Sequence, residues 1–318
     1  MIAAVIVLYY PDLTLLERLL ASLGGQADRV VAIDNTPGSS ATLAPFLERF
    51  QYAIAYIPVG DNKGIAEAQN IGIRESIRAG CSHVLLLDQD SVLSPGMVDK
   101  LIAAEGELLK AGIKVGAVGP RYVDGKTGIP SFAIRYGAVT VRKIALDPLS
   151  NMPVETDILI ASGSIIRTAT LQTVGIMRSD LFIDLVDTEW ALRARSNGYK
   201  NYCIPSAIMM HSVGDAAIKV FGKSVYLHRD LRKYYRLRNA MYLLQVSSMG
   251  WQWRSYILRW IPYYVSLSLW TSEHKLSNAR LLLNALWDGL LRRLGPARQY
   301  QGTVAVSLDS SASYREGR

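Results

Sequence analysis

The sequence predicts an α/β chain, with a mostly parallel central sheet covered by helices on both faces and a helical C-terminal extension. Three observations point there. Short apolar runs alternate with stretches of helical periodicity through the first hundred residues. Those runs end on polar clusters at Tyr9, Asp34, Asp61 and Asp88. The chain has 318 residues, 50% hydrophobic and 19% charged, which is enough apolar surface for a large core and too much for a disordered chain.

The elements follow in order. Ile2–Leu8 reads as a buried strand. Leu13, Leu16, Leu20 and Leu23 then fall at helical spacing, and Gly24-Gly25 ends the helix. A second strand covers 29–33 and stops at Asp34-Asn35, and a third covers 52–58. Asn62-Lys63-Gly64 opens a helix to about 79, ended by Gly80. Residues 84–87 form a fourth strand ending at Asp88, and Ser94-Pro95 predicts a helix cap with proline at the first helical position. Residues 115–118 and 158–161 read as strands, the latter followed by the small-residue passage Ser162-Gly163-Ser164. Acidic residues from Asp180 to Asp187 lead into a helix over 188–197, closed by Gly198, and 204–211 is a further strand. Strands this apolar are buried on both faces, as in parallel sheets, and such sheets bind ligands at their C-terminal strand ends.

The C-terminal third changes character. Residues 234–270 are rich in Tyr, Trp, Leu and Arg. The apolar stretch 256–270 contains Arg259 and Pro262 and falls short of the roughly 20 residues that span a bilayer. Its composition suits either a membrane interface or an ordinary helical core. From Val304 the tail is small and polar. The chain is therefore divided into a catalytic unit at 1–215, a basic aromatic helical region at 216–302 and a loose tail at 303–318.

Net charge is +8. Between Lys219 and Arg259 there are nine Lys or Arg and a single acid, Asp230, so this segment carries as much net charge as the whole chain. A local basic surface of this kind faces anionic lipid, a diphosphate or nucleic acid. The two cysteines, Cys81 and Cys203, form no framework and suit a reducing compartment. The first apolar run lacks a basic flank and reads as a core strand rather than a leader, so a cytoplasmic protein is expected.

Several residues carry chemistry. Asp88 and Asp90, one residue apart at a strand end, can share a divalent cation and a ribose, and hard oxygen ligands suit Mg²⁺ or Mn²⁺. Such an ion offsets the charge of a departing diphosphate. A solvated turn is the plainer reading of this motif. Asp34 can accept from a base or ribose, or close an Asx turn with Asn35. Asn62 and Gly64 precede a helix start that favours an anion, or merely cap that helix. Asp184, Asp187 and Glu189 can line one mouth, with Asp187 a candidate general base, or serve as first-turn helix acids. His211 after an apolar strand is either structural or completes the metal shell begun by Asp90.

Taken together, the stretches VIVLYYPD, VVAIDNTPGS, GDNKGIAEAQNIGI, HVLLLDQDS, ILIASGSIIR, LFIDLVDTEWALRARSNGY and HSVGD resemble the family-2 glycosyltransferases of GT-A fold over about residues 2–240. LLLDQDS combined with FIDLVDTEWALRAR is most similar to bacterial rhamnosyltransferases. The resemblance implies that Tyr9, Asp34, Asn62, Gly64 and Asn70 contact the base, ribose or diphosphate. Asp88 would face the ribose, Asp90 and His211 the metal, and Asp187 would deprotonate the acceptor. Glu189 and Trp190 would shape the sugar and acceptor site, and Tyr235 and Arg238 would meet the diphosphate or acceptor. Two departures stand out. Val186-Asp187 replaces the common Glu-Asp pair, and Gln89 removes one possible metal oxygen.

The implied activity is metal-dependent, inverting transfer of L-rhamnose from dTDP-L-rhamnose to a cell-surface glycan precursor, with peripheral contact at the inner membrane face. A UDP-hexose donor on the same fold, a non-catalytic nucleotide-sugar or membrane-surface module, and a nucleic-acid binder are the rivals. Four acidic strand ends speak against the last.

Overall fold

The computed structural model describes residues 1–38, 42–50, 52–211, 216–220, 223–227 and 230–297. The first half comprises β1 (Ile2–Leu8), α1 (Leu13–Leu23), β2 (Arg29–Asp34), α2 (Leu43–Leu47), β3 (Ile54–Pro58), α3 (Ile65–Arg78), β4 (His83–Asp88), β5 (Val92–Leu93) and α4 (Met97–Lys110). The middle adds β6 (Val115–Asp124), β7 (Ala133–Tyr136), β8 (Val141–Ile144), β9 (Val154–Thr156), β10 (Ile165–Arg167), α5 (Thr168–Val174), α6 (Val186–Ser196) and β11 (Lys200–His211). Then come β12 (Ala216–Val220), β13 (Lys223–Leu227), α7 (Asp230–Leu243), α8 (Trp251–Trp270) and α9 (Lys275–Leu290).

One nine-stranded sheet runs in the order β3-β2-β1-β4-β10-β6-β11-β5, with β9 paired to β11. Successive residues of a strand point to opposite faces, which explains why the runs are apolar throughout. β1 sends Ala4, Ile6 and Leu8 to one face, and β4 sends Leu85 and Leu87 there, under Leu16 and Leu20 of α1 and Leu101 of α4. Val5, Val7, Val84 and Leu86 go to the other face, against Ile73 of α3 and Trp190 of α6. Each fully buried Leu or Val of this kind stabilises the fold by about 1.5–3 kcal/mol relative to exposure. Asp12 starts α1 by accepting from Thr14 N–H at 2.8 Å and Leu15 N–H at 3.3 Å.

Two local expectations are corrected. Ser94-Pro95 does not cap α4. The helix starts at Met97 after Gly96, whose left-handed φ of 67° completes a turn in which Met97 N–H donates to Ser94 C=O. Residues 158–161 are not a strand. Ile158, Leu159, Ile160 and Ala161 are apolar because they pack against both core clusters as a loop. The strand slot beside β4 belongs to β10, antiparallel to both β4 and β6. The hairpin β7–β8 was not expected, because Arg142 and Lys143 interrupt any apolar run there.

The C-terminal helices share the sheet's core. Tyr242, Leu243, Trp253 and Ile257 lie in one buried cluster with Val5 and Val31. α8 continues through Pro262. Among the described residues, no helix is long and apolar enough to cross a membrane. Residues 212–215 of the HSVGD stretch, Arg229 of the basic segment and the tail from Val304 lie outside the described residues. Cys81 and Cys203 are both free and buried.

Candidate active site

β1 runs parallel to β2 and β4, β6 runs parallel to β11, and β10 opposes both groups. Asp34, Asp88, Asp124 and His211 therefore end their strands on one edge of the sheet. His211 pairs in register with Asp124. Its ring lies between two carboxylates, with Nδ1 at 3.3 Å from Asp90 Oδ1 and Nε2 at 3.6 Å from Asp88 Oδ2. Burial disfavours the charged ring, but the hydrogen bond to Asp90 and the charges of Asp88, Asp90 and Asp124 outweigh it and raise the His211 pKa. Burial raises the Asp88 pKa, against the pull of His211.

Beneath this rim, two serines that carried no predicted role tie the strand ends together. Asp88 N–H donates to Ser162 Oγ at 3.0 Å, Ser162 and Ser91 hydroxyls meet at 2.6 Å, and Ser91 Oγ lies 3.3 Å from His211 Nδ1. Gly163 permits this approach. Its φ is 83°, and a Cβ there would meet Pro120 at 2.6 Å. Gln89 is a brace rather than a missing ligand. Its Oε1 accepts from Tyr9 N–H at 2.8 Å and its amide donates to Tyr9 C=O at 3.2 Å, locking the end of β1 to the end of β4.

Asp187 sits in the first turn of α6. A cavity of about 230 Å³ beside it is lined by Ser162, Phe132, Asp184, Thr188 and Arg236 among others. Ser162 is thus shared between this cavity and the acidic rim. Burial pushes the Asp187 carboxyl up to about 6, helped by Asp184 and Asp88 and opposed by the N–H groups of Thr188 and Ala161. A base with that pKa is ionised at neutral pH yet still accepts a proton readily. With Asp187 as the base the carboxylate is the working form, so kcat/KM should fall about tenfold per pH unit below about 6 and level off above it. A profile flat from pH 5 to 8, run with a pH-indifferent acceptor, would overturn Asp187 as the base.

The turn carrying Asp187 is strained and held from outside. Phe182, Asp184 and Leu185 have φ of 66°, 65° and 62°, a region that non-glycine residues seldom adopt. Arg238 donates to Leu181 C=O at 3.0 Å. Asn239 donates to the carbonyls of Leu181, Ile183 and Asp184 at 3.0, 2.8 and 2.9 Å. Arg232 pairs with the Asp184 carboxylate at 2.9 Å. Gly64, with φ of 81°, lies so close below that a Cβ would stand 2.6 Å from the Phe182 ring and carbonyl.

The structure separates the predicted residues into two groups. Tyr9, Asn62, Asp88, Asp90, Asp187 and His211 are partly exposed. Asp34, Asn70, Glu189, Trp190, Tyr235 and Arg238 are buried to 3% exposure or less and already have partners within the protein. Asp34 accepts from Tyr56 OH at 2.7 Å and Thr36 N–H at 3.0 Å. Asn70 exchanges two 2.8 Å bonds with the Met177 backbone. Glu189 pairs with Arg193 at 2.8 Å, and Trp190 donates to Gly175 C=O at 2.8 Å. Tyr235 stacks on Phe182 at 5.0 Å and accepts from Ala297 N–H. Arg238 clamps the turn as above. Asn62 Oδ1 is likewise used inside the loop, accepting from Asn35 and from Gly64 N–H.

For a divalent cation, the donor set fits by chemistry. Two carboxylates and an imidazole gather at the strand ends, as hard cations with one nitrogen ligand prefer. Among the described residues, no three such side chains converge on one metal position, because the His211 ring itself lies between the two carboxylates.

A doubly covered, mostly parallel sheet, with acidic strand ends and a half-buried carboxylate beside an adjoining cavity, is the arrangement of an α/β enzyme that binds its ligand at one sheet edge. Residues 4–142 match Glycosyl transferase family 2. The chain is 31% identical over 303 residues to the dTDP-rhamnosyl transferase RfbF of Shigella flexneri, covering 93% of this chain and 98% of that protein. GalNAc-T7, solved with UDP, GalNAc and Mn²⁺, is similar in fold at a TM-score of 0.62 and 13% identity. That alignment covers 99% of this chain, which spans 58% of GalNAc-T7. S. aureus TarS 1-349 in complex with UDP-GlcNAc aligns at a TM-score of 0.57 and 14% identity, over 91% of this chain and 80% of that one. The chain belongs to glycosyltransferase family 2.

Proposed function

We propose that this protein transfers L-rhamnose from dTDP-L-rhamnose to a saccharide hydroxyl with inversion at the anomeric carbon. The observation that carries the donor is the 31% identity, over nearly the whole of both chains, to a dTDP-rhamnosyl transferase. The acceptor is a lipid-linked or lipopolysaccharide-type glycan precursor, in a protein that works on the cytoplasmic side of the membrane.

Asp187 takes the acceptor proton as the oxygen attacks in line, and the bond to the nucleoside diphosphate breaks on the opposite side. Asp184, paired to Arg232, lines the same cavity and orients the acceptor. Tyr9, Asn62 and Asp88 bind the nucleotide end. Asp90 and His211 would hold Mg²⁺ or Mn²⁺, which supplies positive charge to the leaving diphosphate. A single displacement converts a β-linked donor to an α-rhamnoside.

The test is a thermal-shift panel of dTDP and UDP, each with and without Mn²⁺. A ligand at about 100 times its Kd stabilises the fold by about 2.7 kcal/mol. A metal-dependent shift with dTDP and none with UDP is expected. A shift with UDP alone would transfer the reading to a UDP-hexose donor, and no shift with either nucleotide would end it.

A further inference from the structure

We propose that the outer face of α9 docks this protein in the plane of an anionic lipid surface. The helix has two apolar faces. Its inner face, Leu281, Leu282 and Ala285, is buried with Tyr234 and Leu237 of α7. Its outer face carries Leu276, Leu283, Trp287 and Leu290 at successive steps of seven, four and three residues. At 100° per residue these lie within about 60° of arc, along about 21 Å of helix axis. They are 89%, 65%, 58% and 45% exposed. An amphipathic helix on a soluble domain needs one apolar stripe, so the second is unexplained by the fold.

The surrounding charge selects the occupant. Arg280 lies on the stripe itself, and Lys275, Arg292 and Arg293 stand at its ends, all exposed. Of the two acids nearby, Glu273 precedes the helix. Asp288 is engaged by Tyr234 OH at 2.7 Å and by Arg293 at 3.6 Å. A second copy would bring the same cations face to face, which costs free energy, whereas acidic headgroups complement them. α8 contains no acidic residue and leaves Trp251 and Trp270 60% and 61% exposed. Tryptophan rings and arginine stems settle at the headgroup level. No described helix can cross the bilayer, so contact is parallel to it. Composition alone put this character on 234–270. There, however, Arg236 lies over the stacked rings of Trp260 and Tyr264. The inference is independent of the donor and of the transfer step.

The test is co-flotation of the full chain with vesicles of phosphatidylcholine alone or mixed with phosphatidylglycerol. Flotation with the anionic vesicles only, weakened by salt, is expected. Leu283→Glu with Trp287→Glu should lower the bound fraction at least about tenfold while leaving the melting temperature and the dTDP-induced shift unchanged. Should that pair unfold the chain, Arg280→Glu with Arg293→Glu should abolish the salt-sensitive binding instead. Failure of the wild type to float, or equal binding by a folded double variant, would overturn the proposal. So would a two-chain mass in solution that the double variant reduces to one while vesicle binding persists. None of these outcomes bears on nucleotide binding.

Discussion

Asp187→Asn is expected to lower turnover by about 10²–10⁴-fold, the contribution of a positioned general base, while the dTDP-induced thermal shift stays as in the wild type. The same substitution should make the protein more stable at neutral pH. Burial raises the folded carboxyl to about 6, so between about pH 4 and 6 the folded state keeps a proton that the unfolded chain has lost, and at neutral pH the folded state bears the cost of a desolvated charge. Stability from this group is fully present below about pH 4 and is lost as pH rises through about 6. An uncharged amide escapes that penalty, a gain of about 1–3 kcal/mol. Loss of turnover with raised stability separates a base kept at a cost to the fold from a residue that merely caps a helix. A variant that is less stable and still active would overturn the assignment.

Arg238→Met is expected to destabilise the protein by about 2–4 kcal/mol, lowering the melting temperature by roughly 3–6 °C. Arg238 is 1% exposed, and its guanidinium donates to Leu181 C=O at 3.0 Å and Gly295 C=O at 2.6 Å. Methionine fills the volume, takes the Arg238 donor from the Gly295 carbonyl and leaves the Leu181 carbonyl to Asn239 alone. The 181–185 turn, with its left-handed residues, loses a clamp, so turnover of the folded fraction should fall as well. The resemblance alone implies another outcome, namely an unchanged melting temperature without nucleotide and weakened donor binding. Melting curves with and without dTDP distinguish the two.

Much of the site was legible because strand ends are legible. An apolar run that stops at Asp88, and another that stops at His211, locate both residues on one sheet edge once the strands are parallel. The residues between them were less legible. Ser162 reads as a small residue in a loop, and only the fold brings its hydroxyl to Asp88 N–H and Ser91. Gln89 looks like a lost metal ligand, and only the packing of β1 beside β4 turns its amide onto Tyr9. Glu189 and Trp190 adjoin Asp187 in sequence. On a helix, steps of two and three residues rotate them about 160° and 60° away, into the core.

By itself, the sequence determined the parallel sheet, the acidic rim and the position of the carboxylate proposed as the base. Each depends on local information: apolar periodicity, the residue that ends a strand, and the acid that opens a helix. Tertiary structure alone decided which polar residues face the cleft and which hold it in shape. Asp34, Asn70, Tyr235 and Arg238 are polar and lie near the motifs, but their partners are 22, 107, 53 and 57 residues away. A polar group buried by such contacts must spend its hydrogen bonds on the protein, and that requirement is set by which segments meet in space.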